Sequence, residues 1–243
     1  MRWSACLLMA LLGCAANGDD GSYPTRPGNG GGVGTGGADA RTDATPGDGG
    51  VATTGRVCLT TDLRKPDQCA SVGADGMVIR RGTATATTRA DGTFDLPTEL
   101  VTGDWQVTKL GFVPSVLPFV AGAPVFIPVI STANFNNLLA GNSIVIVDGQ
   151  GTLVVTARRP TGLPKPLVVV STDPTSVPGV YYDGASALVW DRDATGTQGV
   201  ALVPGLIAGT VNVAGIAPDG TRTAPQVPIT AGAITFLQLD FLQ

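Results

Sequence analysis

The chain reads as an all-β protein, folded as two tandem antiparallel β-sandwiches behind a structureless N-terminal segment. Three observations predict this. Its 243 residues include 34 glycines and 18 prolines, with Val, Thr, Ile and Leu filling the runs between them, the composition of many short strands joined by turns. No long stretch carries apolar residues at the i, i+3, i+4 spacing of an amphipathic helix. One phrase of strand, turn and strand occurs twice, once from Thr88 and again from Thr195.

At the N-terminus a single positive charge, Arg2, precedes a short apolar run from Ala5 to Leu12, the order of a secretory leader. The run is too short to span a bilayer. Leu11-Leu12-Gly13-Cys14 resembles the lipobox of bacterial lipoproteins. That resemblance implies removal of residues 1–13, acylation of Cys14 and lipid anchoring in the cell envelope, and Ala15 after the cysteine is similar to the outer-membrane sorting pattern. An ordinary leader cleaved near Ala15-Ala16 is the competing reading. Two or three acyl chains hold a protein on a membrane where one does not.

Residues 14–54 are Gly, Asp, Thr, Ala and Pro with almost no large apolar side chain. Such a stretch buries too little surface to offset its ordering entropy, so it is expected to be a disordered tether. As a coil of about forty residues it would reach on the order of 35 Å.

The first folded unit is expected over 55–132. Gly55 to Leu59, Met77 to Ile79, Thr83 to Thr88, Phe94 to Leu96, Trp105 to Thr108 and Val125 to Ile130 alternate or run apolar, as half-buried strands do, and β-branched threonines favour the extended backbone. Asp91-Gly92 supplies a hairpin turn that needs positive φ. A connector, 133–142, has room for one or two helical turns. The second unit, 143–243, is expected to hold strands at Thr152 to Ala157, Leu167 to Ser171, Ala187 to Trp190, Gly199 to Val203, Thr210 to Ala214, Gln226 to Ile229 and Ile234 to Phe241. The last is so apolar that it is expected to be central or well covered, because an exposed edge of that character invites aggregation.

The repeated phrase runs Thr88, Gly92, Pro97, Gly103 in the first unit and Thr195, Gly199, Pro204, Gly209 in the second. A turn glycine, an inward apolar position, a proline ending the strand and a second glycine make one supersecondary element. With Ala90-Asp91-Gly92-Thr93-Phe94-Asp95-Leu96, Gly103, Trp105 and Leu110-Gly111-Phe112, the first copy resembles the carboxypeptidase regulatory-like family. The resemblance implies a transthyretin-like, Ig-like sandwich without peptidase activity, with Phe94 and Trp105 as packing residues. The second copy departs from it at Ala201 and Val211, where aromatics are expected.

Function is bounded mainly by what is missing. Histidine is absent and Glu99 is the only glutamate, which removes histidine-dependent nucleophile systems and histidine-containing zinc sites. A net charge of −4 with no basic patch speaks against nucleic acid as a partner. With Cys6 in the leader and Cys14 the lipid site, Cys58 and Cys69 remain as a pair, which in an oxidising envelope most often forms a disulfide; two free thiols are the alternative. Tyr181, Tyr182 and Trp190 form the densest aromatic group, either core or, if exposed together, a platform for sugar rings. Asp183, Asp191 and Asp193 alternate before a glycine as calcium ligands can, but such aspartates are commonly turn formers. The expectation is therefore a lipid-anchored envelope protein without cofactor or catalysis, presenting β-sandwich binding or spacer modules to an envelope protein or polysaccharide; the alternative is a carbohydrate-binding module using Tyr181, Tyr182 and Trp190.

Overall fold

The computed structural model describes residues 52–70, 74–97 and 102–241. The leader, Cys14 and the tether up to residue 51 lie outside the described residues. The first strand, β1 (Ala52–Leu59), starts three residues earlier than the expected boundary, and the Thr54 hydroxyl donates to the Asp95 carboxylate at 2.8 Å.

The strands that follow in the N-terminal half are β2 (Val78–Arg81), β3 (Ala84–Thr87), β4 (Thr93–Pro97), β5 (Trp105–Thr108), β6 (Ser115–Leu117) and β7 (Val125–Val129). A helix, α1 (Thr132–Gly141), replaces the expected connector of one or two turns; the Ser131 side chain caps it by accepting from the Asn134 N–H. The C-terminal half holds β8 (Gln150–Arg158), β9 (Val169–Asp173), β10 (Tyr181–Tyr182), β11 (Val200–Ile207), β12 (Gly209–Ala217), β13 (Gly220–Ile229) and β14 (Ile234–Asp240). Ala187 to Trp190, expected as a strand, is a loop. β11 does not stop at Pro204 either; it runs through a bulge between Val203 and Leu206, where Gly205 takes φ +70°.

The two halves repeat one set of pairings. β1 lies between antiparallel β4 and parallel β7, and β8 lies between antiparallel β11 and parallel β14. Opposite them, β2-β5-β6 and β9-β12-β13 are antiparallel ladders. β7 and β14 come out parallel because each returns from the opposite sheet by a crossover rather than a hairpin.

Side chains of the repeated phrase explain why it recurs. The Thr88 hydroxyl accepts from the Met77 N–H at 2.8 Å and donates to the Ala74 carbonyl; the Thr195 hydroxyl accepts from the Val168 N–H at 2.9 Å and donates to the Lys165 carbonyl at 2.9 Å. Four residues on, Gly92 (φ +80°) and Gly199 (φ +69°) accept from the Val57 and Ala157 N–H groups at 2.8 and 2.7 Å. A Cβ on either glycine would lie 2.5 Å from the Val57 carbonyl oxygen or 2.7 Å from that of Ala157, so both conformation and space demand glycine.

The halves are joined edge to edge. Ile234 and Thr235 of β14 pair in parallel with Ser115 and Val116 of β6, so one sheet runs β10-β11-β8-β14-β6-β5-β2-β3 across the expected boundary at 132–143. β14 is thus interior to the sheet at Ile234 and Thr235, paired with β8 on one side and β6 on the other. Phe94, Trp105 and Ile127 centre the N-terminal core, and Val155, Val211 and Leu239 the C-terminal one. A third cluster covers the other face of β11-β8-β14: Val154, Leu202 and Phe236 meet Phe135 and Leu138 of α1, Leu63 and Trp190. β8 is therefore buried on both faces, which accounts for its nearly unbroken apolar run.

Candidate functional site

Cys58 and Cys69 are disulfide-bonded, closing the loop that carries Leu63, Arg64 and Asp67. The loop is strapped to the C-terminal half. Leu63 is fully buried in the third cluster, Arg64 Nη1 donates to the Gly184 carbonyl at 2.9 Å, and Arg158 pairs with Asp67 at 3.3 Å. Asp62 holds the Arg64 guanidinium at 2.7 Å, fixing its direction.

The aromatic group does not form a platform, and the sugar-stacking reading falls with it. Tyr182 is buried, with its hydroxyl accepting from the Val170 N–H at 2.9 Å and donating to the Val170 carbonyl at 3.2 Å. Burial raises the pKa of this phenol above its ordinary value, against the lowering effect of the Val170 N–H. Trp190 is buried too, its indole N–H donating to the Ala187 carbonyl at 3.1 Å, while Tyr181 is half-buried against the third cluster. Trp190 and Tyr181 belong to a plug between α1 and the central sheet, and Tyr182 to the C-terminal core.

Nor do the three aspartates converge on a cation. Asp183 is wholly buried, and its carboxylate accepts from the Gly196, Gln198 and Val200 N–H groups at 2.7, 2.9 and 2.9 Å. Its oxygens fasten the 196–200 turn to β10 instead. Asp191 and Asp193 are exposed, and among the described residues no group of three His, Cys, Asp or Glu side chains is placed to hold a metal ion.

A groove of about 440 Å³ lies where the halves meet. β6 ends at Leu117, and Pro118 carries the chain away toward β7, while β14 continues straight on; the groove opens in the fork between them. Leu117, Val120, Phe126, Phe236 and Leu237 give it apolar walls, and Gln238 lies along β14 within it. Its charged groups are engaged. Arg158 pairs with Asp67, and the Gln238 amide donates to the Asp240 carboxylate at 2.8 Å. Near the rim, Arg81 lies 3.6 Å from the centre of the exposed Phe119 ring and 5.0 Å from that of Trp105, with Nε donating to the Gly103 carbonyl. As a site the groove did not stand out in the sequence, because the fork joins positions more than a hundred apart; the one local sign is that Pro114 and Pro118 bracket a very short strand.

No known family profile and no curated protein matches the chain. Among solved structures it is similar to the Bacillus anthracis TIE protein, at 12% identity and a TM-score of 0.22 over 79% of this chain and 33% of that one. It is also similar to a streptococcal ancillary pilin (9% identity, TM-score 0.24, 78% and 68% covered) and to the shaft pilin spaA from Lactobacillus rhamnosus GG (12%, 0.22, 78% and 98%). The chain spans about a third of the length of the TIE protein. At these scores the likenesses assign nothing further.

Proposed function

We propose that this chain is a non-catalytic bacterial envelope lipoprotein, anchored through acyl chains on Cys14, in the outer membrane by the Ala15 rule, and presenting two joined transthyretin-like sandwiches as a binding module for another envelope component. The groove carries the reading. It is apolar, and its charged side chains are tied to one another rather than held ready for proton transfer. Carboxylates elsewhere point the same way: Asp183 is committed to three backbone N–H groups, and Asp91, Asp95 and Asp219 are shifted down, the wrong direction for a general acid. A protein partner is favoured over a polysaccharide because two of the three rings that would stack on sugars, Tyr182 and Trp190, are buried.

Two measurements test this. Expression of the full chain in a bacterial host with an alkyne-bearing palmitate analogue should label the wild type and not Cys14→Ser; an unlabelled wild type overturns the anchor. Arrayed envelope proteins and glycans probed with the full chain should yield ligands lost to Val120→Arg and Gln238→Arg. Binding that ignores both substitutions overturns the groove.

A further inference from the structure

We infer that the groove takes an extended polypeptide segment, which adds to the open edge of β14 as a parallel strand in line with β6. The inference rests on reading the groove as the binding face and names its occupant. Backbone direction along β14 is fixed by three bonds. The Thr152 N–H donates to the Ala233 carbonyl at 3.0 Å and the Phe241 N–H to the Arg158 carbonyl at 2.8 Å, so odd-numbered residues of β14 face β8. The Ile234 N–H donates to the Pro114 carbonyl at 2.8 Å, so even-numbered residues face β6.

Pairing with β6 ends at Thr235 and Val116. Beyond that point the N–H and C=O of Gln238 face the fork, where no described strand pairs with them. The opposite wall is open as well. The Thr60 N–H donates to the Val129 carbonyl at 2.8 Å, which turns the odd-numbered residues of β7 toward β1 and leaves the N–H and C=O of Phe126 on the free edge that lines the groove.

Unpaired N–H and C=O groups at strand spacing are complemented by another backbone, and the apolar walls receive every second side chain of a strand. Sugars and acyl chains offer no such alternation. Continuity with the β6–β14 pair sets the direction, since the incoming segment takes over where Pro118 turns β6 away.

The test uses the full chain and a capped heptapeptide of alternating Thr and Val, beside the same peptide N-methylated at every second residue. Amide hydrogen exchange of Gln238 is followed by NMR. Saturating peptide should slow that exchange on the order of tenfold, and the N-methylated peptide should not. Gln238→Pro should fold, because the lost N–H serves no bond to β8, and adding it to the peptide should no longer shift the peptide's own amide signals, as the wild type does. An unprotected Gln238, or equal protection by both peptides, overturns the strand inference. If the peptide fails while an arrayed ligand still depends on Val120 and Gln238, the inference falls and the groove reading stands.

Discussion

Arg64 donates to the carbonyl of Gly184, 2.9 Å away in space and 120 positions along the chain. The contact makes the disulfide loop a strap between the halves, with Leu63 as its buried peg and Asp67 as its second charged hold. Leu63→Ala should cost about 2–5 kcal/mol, the range for a large core side chain removed without collapse of its site. Replacing Cys58 and Cys69 together by serine should cost about 2–3 kcal/mol, by freeing the loop in the unfolded chain. Urea unfolding measures both, and losses below about 0.5 kcal/mol would mean that the strap merely decorates the surface.

Thr88 and Thr195 should be equally intolerant of valine. Each hydroxyl joins a backbone N–H to a backbone carbonyl inside the fold, and valine keeps the shape while orphaning both. Each substitution should cost about 1–3 kcal/mol. Equivalent losses support the equivalence of the two copies; a cost at one position alone contradicts it.

The recurrence of these threonines and their glycines was legible in the sequence, as were most strands, because alternation and turn chemistry are local properties. What escaped notice was set by distant partners. Ser115 to Leu117 is too short to show a period, and it becomes a strand because β5 and β14 flank it. Ala187 to Trp190 has the apolar content of a strand, yet the Trp190 N–H donates to the Asn142 side chain beyond α1, and the segment packs as a plug. The aromatic group and the aspartates are dense features of the sequence, but only burial separates a platform from a core, or a cation ligand from a loop clasp. The groove was invisible for the same reason.

Asp183→Asn should be costly although it is nearly isosteric. One amide oxygen cannot satisfy three N–H donors, and the new NH₂ faces them; a loss of about 3 kcal/mol is expected from bonds of this charge-assisted kind. Added calcium should leave the wild-type Tm unchanged. A calcium-dependent rise that vanishes in Asp183→Asn would restore the cation reading.

Acid should weaken the fold in a defined direction. Asp95 is held below the usual carboxylate range by hydrogen bonds from Arg89 and Thr54, Asp91 by the Thr93 hydroxyl and N–H, and Asp219 by Lys165. Because the folded values lie below the unfolded value of about 3.9, their contribution is complete above that pH and is lost as pH falls through the folded values. Thermal unfolding below pH ~4 should therefore show a falling Tm, less steep in Asp95→Asn and at high salt, since these groups are exposed. A Tm that rises on acidification contradicts the assignment.

The central claim is that β14 and β6 weld the two halves, which repeat one set of strand pairings, into a single cooperative body. Native-state hydrogen exchange of the Val57 and Ala157 amides, which occupy matching places in the two copies, tests it most directly when followed against urea. One shared opening free energy and one shared urea slope for both amides is the predicted result; a Val57 amide that opens with a clearly smaller free energy and a shallower slope would show that the halves unfold apart.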